Sequence, residues 1–494
     1  MTVAHPLRLL LGLLSVISSP RADDVGNFFG LTNLWEIRLT LSATNWAAMT
    51  PQERARPEGR LGPPGMMDRE YPWSTATIAS EGTVLTNVAV RFKGNSSFNM
   101  SRSGLKRPFK LDFDRGAKGR TFRGQEELLL NNNLNDGTQF REALAYDAFR
   151  RAGLRAPRTA FARVFLTVNG ERTNTYLGLY TVVEAVEGKF LKAHFGTKQG
   201  LLVKPERVPG LQYLGPDWAA YTNRFEPKTT PKADDTERFI ELNRLAELAD
   251  DATFARELPR RMDPTNLFRF IALNALLANY DSFLGTGHNF YLFQPRGDAK
   301  AAFIPWDLNE SFGGHPPGGS RRDQAEFSIL TPHSDNIRFL TRVLSQPAFA
   351  AAYRREVAAL LTNVFQPERL RADATRIANV TREAVFAESP RARAAFETAA
   401  FGLPQRATER GVGAGPGMGP REDMAFADWV DLRMRQVTAE LAGERTGRRP
   451  DFRRGLGGMR PPGQPRLGGP GGLVPPPLRD GERPRRPAPP AEPR

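Results

Sequence analysis

Residues 274–312 read NALLANYDSFLGTGHNFYLFQPRGDAKAAFIPWDLNESF and place two acids and an amide at the ends of hydrophobic runs. Asp281 closes a strongly apolar segment, Asn289 follows His288 after a Gly-containing loop, and Asp307 stands just after a strand-like run. Phosphoryl transfer needs such a set. One acid orients the attacking hydroxyl and accepts its proton, while an Asn and an Asp hold the metal that bridges nucleotide phosphates. Acid, amide, acid is also the order of the protein-kinase signature. Taken singly, each is equally a turn or capping residue, because Asp and Asn side chains hydrogen-bond nearby backbone. Their occurrence together points to chemistry.

The flanking pattern supplies elements to hold them. Asp263 and Pro264 give a cap and a proline at the first helical position, and the helix to about residue 278 is nearly all apolar, so it is buried and positions the Asp281 loop. Residues 289–293 and 302–306, separated by QPRGDAK, predict a β-hairpin ending at Asp307. Upstream, residues 34–204 are rich in strand signals. WEIRLTL (35–41) alternates; Val88, Val90 and Phe92 share one face of a strand over 83–92; Phe109, Leu111 and Phe113 alternate with Lys110, Asp112 and Asp114. The run 57–67 reads as an irregular, Pro/Gly-rich excursion. GNSS (94–97) is either a plain hairpin turn or a nest whose backbone N–H groups, with Ser96 and Ser97, receive phosphate. A helix is expected over 136–152, capped by Asp136 or Thr138 and ended by Gly153, with Phe140, Leu144 and Ala148 facing inward. Strands follow at 162–168, 178–183 and 201–204. Helices are expected at 236–249, 334–365, 367–382 and 423–444.

These strings resemble the CotH family of atypical kinases. The resemblance is carried by NYDSF, GHNFYLF and FIPWDLN, and upstream by VAVRFKGNSS, KRPFKLDFD, LLLNNNLNDGTQFREALAYDAFRRAGLRAPRTAFARVFLTVNG and GLYTVVEAVEGKFL, in family order from about Trp35 to about Leu361. It implies a two-lobed α+β kinase-like fold: a strand-rich, nucleotide-binding N-lobe over 30–204 and a helical C-lobe over 205–400. A Gly-rich break and a helix would then occupy 401–442. It also implies Asp281 as the catalytic acid, with Asp307, Asn289 and Asn309 around Mg²⁺ or Mn²⁺ and ATP as phosphate donor. Lys110, with Lys106 as its rival, would be the strand lysine that reaches the phosphates. Glu142 either pairs with that lysine or merely favours the positive end of its helix. The run ending at Glu184 would lead into the hinge between lobes. Asn309 stands where the family has a second acid; an amide oxygen still ligates a hard cation, without the charge. No Walker A or GxGxxG precedes the site, and HRD and DFG are missing, so a conventional kinase is excluded while phosphoryl transfer is not.

Composition sets the outer bounds. The 494 residues are 40% hydrophobic and 25% charged, as in an ordinary globular protein, and suffice for two or three domains or one two-lobed domain. There is no cysteine, which rules out disulfides, thiolate nucleophiles and Cys-based zinc sites; the five histidines, His5, His194, His288, His315 and His333, form no HExxH pair. Residues 1–22, with Arg8 before an apolar stretch, read as a secretory signal too short to span a bilayer, so export is expected with no transmembrane anchor. Much of the net charge of +15 lies in the Arg/Pro/Gly-rich segment 443–494, expected to be disordered and suited to an acidic surface polymer. Aromatic residues hardly punctuate it, and no nucleic-acid module accompanies it, so no specific nucleic-acid partner is expected. The function expected is phosphorylation of Ser/Thr hydroxyls on a surface or envelope protein. The alternative is a catalytically weak scaffold that assembles an extracellular or coat layer.

Overall fold

The computed structural model describes residues 28–53, 69–404 and 424–450. The expected signal segment, the excursion at 57–67, the Gly-rich break and the tail beyond residue 450 lie outside the described residues. The strands are β1 (Leu34–Ser42), β2 (Gln52–Glu53), β3 (Arg69–Glu70), β4 (Ser74–Ser80), β5 (Thr83–Phe92), β6 (Phe109–Asp112), β7 (Glu127–Asn131), β8 (Thr159–Asn169), β9 (Arg172–Glu184), β10 (Gly200–Pro205), β11 (Phe225–Pro227), β12 (Phe290–Pro295) and β13 (Ala302–Pro305). The helices are α1 (Ala43–Ala48), α2 (Ser96–Ser101), α3 (Arg141–Arg151), α4 (Gly188–Phe195), α5 (Ala233–Leu248), α6 (Asp251–Arg261), α7 (Pro264–Leu276), α8 (Arg321–Ala325), α9 (Arg338–Ser345), α10 (Pro347–Asn363), α11 (Pro367–Phe386), α12 (Pro390–Phe401) and α13 (Phe426–Leu441). The fold is α+β. No helix of the described residues is long and apolar enough to cross a membrane.

The period-2 patterns of the first region close on themselves. Seven strands form a barrel in the order β1-β4-β5-β6-β7-β9-β8, antiparallel except for the β1–β8 pair. Val88, Val90, Phe92, Phe109, Leu111 and Phe113 all point inward and are buried. The interior is therefore packed by side chains and leaves ligands to the rim. The expected first domain of residues 30–204 takes in one strand too many. β10 hydrogen-bonds to β12, not to the barrel, in a sheet of order β11-β10-β12-β13, so the barrel ends at Glu184. Its short edge strand β11 carried too little pattern to be foreseen.

Helices α3 and α5 to α13 share one large core. Trp429 is fully buried and donates from Nε1 to the Arg321 carbonyl at 3.0 Å. The chain also stays ordered past the expected start of the tail. Arg448 accepts from Ser328 N–H at 2.7 Å, donates its own N–H to Glu326 O at 2.8 Å and pairs with Asp323 at 2.8 Å. These backbone pairings and that partner keep residues 443–450 on the folded body, so any tail begins after them. The expected helix at 136–152 begins later, at Arg141, because residues 132–139 turn repeatedly, with Asn133 and Gln139 at positive φ. Neither Asp136 nor Thr138 is its cap: Phe140 stands there without a capping side-chain bond, and Asp136 accepts from the Arg141 backbone N–H at 2.7 Å from four residues before it. GNSS is not a hairpin turn: Gly94 (φ 75°) leads directly into α2.

Candidate active site

Helix α7 delivers the first acid. Asp263 caps its start, accepting from Thr265 and Asn266 N–H at 3.0 and 3.2 Å, as the Asp-Pro pair predicted. Its C-terminus is held by the fully buried Arg433 of α13, which donates to the Ala275 and Leu276 carbonyls at 2.7 and 3.3 Å, and to those of Ala325 and Phe327. A cation on the last-turn carbonyls opposes the helix dipole and satisfies orphan acceptors. The chain then turns through Ala278 (φ 46°), and the Ser282 carbonyl gathers the Gly285, Thr286 and Gly287 N–H groups. Asp281 is fixed from both sides. Asn289 Nδ2 donates to its carbonyl at 2.8 Å and to Oδ2 at 2.9 Å, and His288 Nε2 lies 3.1 Å from Oδ1. Burial alone would raise Asp281, but the facing imidazolium outweighs it and holds the carboxyl well below the usual range. His288 is raised in turn, Asp281 overcoming the cost of its burial.

Asn289 and Asp307 both have left-handed backbone, with φ 59° and 52°. Such conformations cost a non-glycine residue about 1–3 kcal/mol and persist only where the surroundings impose them. For Asp307 the constraint is its own N–H, which donates to Tyr146 Oη of α3 at 3.0 Å. One turn earlier on α3, Glu142 enters the same space.

The opposite wall comes from the barrel rim. Lys93, just past the end of β5, donates to Asn131 Oδ1 at the end of β7, and Asn131 Nδ2 donates to both Glu142 oxygens at 3.0 and 2.9 Å. Burial, then the nearby Asp307, push Glu142 up to about 8 despite Asn131 and Lys93. Asp307 is also raised, by burial first and by Asp281, against Lys93. Lys93 is lowered by burial, partly offset by Asp307 and Glu142. Acids held this reluctantly in the charged state, close to one another, suit a site completed by a cation.

A cleft of about 480 Å³ joins the two walls and is lined by Asp281, Asn289, Asp307, Asn309, Glu142, Lys110, Ser96 and Ser97. Eight of the nine residues singled out in the sequence therefore converge. Lys106 does not: its ammonium chelates Glu388 at 2.8 Å, ahead of α12, and ties the helices to the barrel. Lys110 projects opposite the apolar face as the alternation predicted, but meets Glu127 and Glu187 at 2.8 and 2.7 Å, not Glu142. The lysine near Glu142 is Lys93, which sequence reasoning missed. Its one signal was its place at a strand end beside Gly94. Glu310 and His315 were missed as well. Their side chains bond to each other, and one ligand atom from each, with one of Asp281, all lie within 4.8 Å of one another, the one such group among the described residues.

The cleft suits a nucleotide and a hard cation. Its size is that of a small-molecule site, Asp307 and Asn309 bring oxygen atoms to its lining, and Asn289 turns its Nδ2 toward Asp281, leaving the amide oxygen for another partner. The nitrogen in the Asp281–Glu310–His315 group is not a ligand that Mg²⁺ selects.

Comparison with known proteins bears on the same stretch. The chain is similar to Inner spore coat protein H of Bacillus subtilis (strain 168), with 25% identity over 261 residues, 50% of this chain and 66% of that protein. Among solved structures it is similar to the proinflammatory kinase CtkA of Helicobacter pylori, at 8% identity over 68% of this chain and 93% of that one, with a TM-score of 0.24. It is also similar to the HipA, HipB and operator DNA complex of Shewanella oneidensis MR-1 (13%, 83% and 73%, TM-score 0.26) and to the Golgi casein kinase with Mn/ADP bound (11%, 72% and 74%, TM-score 0.23). Likenesses this slight carry no argument, and the fold stands on its own strands and helices. The family model for CotH kinase protein matches residues 90–402, more than half of the chain and every part of the cleft from Lys93 to Asn309. The chain thus belongs to the CotH kinase family.

Proposed function

We propose that the protein is a metal-dependent kinase of two lobes, the barrel and the helical region, that transfers the γ-phosphate of ATP to Ser or Thr hydroxyls of a surface or envelope protein. The observation that carries this reading is the convergence of Asp281, Asn289 and Asp307 on one cleft, facing the Lys93–Asn131–Glu142 chain. In this reading Lys93 meets the phosphates and Glu142 holds it in place through Asn131. Asp307 and the Asn289 amide oxygen hold Mg²⁺ or Mn²⁺, with Asn309 beside them, and Ser96 and Ser97 lie on the phosphate side. Asp281, kept ionised by His288, orients the acceptor hydroxyl. The metal, when bound, neutralises charge on the transferring phosphoryl group. Catalysis is then positioning and electrostatics, which these loops supply without a glycine-rich phosphate motif.

Export accords with the signal-like N-terminal sequence, and the name of the Bacillus subtilis relative places that protein in a spore coat. A binding scaffold draws on Asn309, which leaves the metal side with one carboxylate fewer than the family pattern, and on the signal-like N-terminal sequence and basic C-terminal segment. Incubation of purified protein with γ-labelled ATP, Mg²⁺ or Mn²⁺ and Ser/Thr acceptors tests the proposal. Transfer is expected, and Asp307→Ala should abolish metal-dependent nucleotide binding without loss of the melting transition. Protein that binds ATP yet labels neither an acceptor nor itself would sink the kinase reading and leave the scaffold.

A further inference from the structure

We propose that Arg207 forms a subsite for an anionic group carried by the acceptor, beside the hydroxyl that Asp281 orients; this rests on the kinase reading above. Arg207 follows β10 and lines the same cleft as His288. Its backbone is left-handed, φ 55°, a conformation costly for a residue with a Cβ. Neighbouring hydrogen bonds impose it. Glu206 N–H donates to Arg224 O and Val208 N–H to Gly287 O, both at 2.8 Å. Gly287 can carry no side chain there, since a Cβ would lie 2.1 Å from Val208 O. The arginine is thereby tied to the residue preceding His288, whose ring is 3.1 Å from Asp281.

Its guanidinium is unpaired: among the described residues it makes no hydrogen bond or ion pair, and Nε is shut away from solvent without a partner. The lysines around the cleft differ: Lys93 donates to Asn131, Lys110 to two glutamates, Lys204 pairs with Glu206 and Lys228 with Glu226. A secluded donor left unpaired costs stability, and in a cleft a ligand can bring the acceptor that it lacks. Charge places that ligand. The residues nearest the phosphates in the kinase reading, Lys93, Asn131 and Glu142, come from the barrel rim and α3, whereas Arg207 lines the cleft with His288, the partner of Asp281, and its neighbour Val208 is bonded to Gly287. The guanidinium fork fits a carboxylate or a phosphate through paired N–H donors. The substrate class is therefore a Ser/Thr segment flanked by an acidic or already phosphorylated residue.

The test uses the full chain and three labelled peptides that differ at one position beside a single serine: Gln, Glu or phosphoserine. Anisotropy reads peptide binding without requiring transfer, and labelled ATP reads kcat/KM. The wild type should bind the Glu or the phosphoserine peptide about tenfold more tightly than the Gln peptide, as one charge-assisted contact allows. Arg207→Gln should bring that ratio to about one, with the KM for ATP within about twofold, and Arg207→Lys should restore part of it. Preference for phosphoserine alone assigns the subsite to phosphate; preference for both assigns it to either anion. Equal binding of all three peptides by the wild type, or an unchanged ratio in Arg207→Gln, overturns the subsite. So does a raised KM for ATP with an unchanged ratio, which would give Arg207 to the nucleotide. Absence of transfer by the wild type counts against the kinase reading alone, because the binding ratio is read without it.

Discussion

The two walls of the cleft hold their functional groups by different means. On the barrel wall, Lys93, Asn131 and Glu142 extend from the ends of β5 and β7 and from α3, and are fixed mainly by bonds to each other. On the opposite wall, Asp281, Asn289 and Asp307 sit on loops whose backbone is pinned: by Arg433 under α7, by the Ser282 carbonyl, and by Tyr146 on the Asp307 N–H. Removing a group from the first wall should therefore change ligand affinity with little loss of fold. Removing a pin from the second should cost both.

The strongest way to break this contrast is Arg433→Met. It removes side-chain donors to four carbonyls at the exit of α7 and at the Ala325–Phe327 turn. A loss of about 3–5 kcal/mol is expected, read by denaturant titration, with transfer falling alongside. A fully stable, active variant would show that the loop is held otherwise.

Two lysine substitutions sharpen the barrel side. Lys93→Met should weaken Mg²⁺-ATP binding or turnover by about a hundredfold, the scale of losing one preorganised electrostatic contact, while the melting temperature is kept or raised, since burial already opposes its charge. Lys110→Met should change nucleotide affinity by only a few-fold, because its charge is taken by the ionised Glu187. The reverse ranking would return the phosphate role to Lys110.

A smaller effect concerns pH. Burial, then the neighbouring Glu187, push Glu127 up to about 8 against Lys110, whereas the unfolded chain releases that proton near 4.5. Between those values the folded protein holds more protons than the unfolded one, so stability from this group falls as pH rises through the window and levels off above about 8. Glu187 works the other way: burial would raise it, but Lys110 outweighs that and holds it low. Glu127→Gln should flatten the stability profile between pH 4.5 and 8, followed by thermal melts across that range. An unchanged slope would mean that Glu127 is ionised throughout.

The same contrast explains what was legible in the sequence. The second wall is built from consecutive segments of one helix-loop-hairpin, so the order Asp281, Asn289, Asp307 was readable from local pattern. The first wall depends on strand register. Alternation in β6 fixed which way Lys110 points, but pattern alone does not show that the barrel closes so that β5 and β7 flank β6, bringing Lys93 and Asn131 to Glu142. Lys106 was misplaced for a related reason, because its partner Glu388 lies 282 residues away. The role of Arg433 was equally hidden, since it acts on carbonyls more than 100 residues distant.

Asp281→Asn tests the central claim most directly. It keeps size and polarity but removes the carboxylate that faces both His288 and the cleft. Steady-state kinetics with γ-labelled ATP, together with a melting curve, should show kcat reduced by about a hundredfold or more, with the KM for ATP within a few-fold and the folded state retained. A variant as active and as stable as the parent would contradict the assignment of Asp281 as the catalytic base.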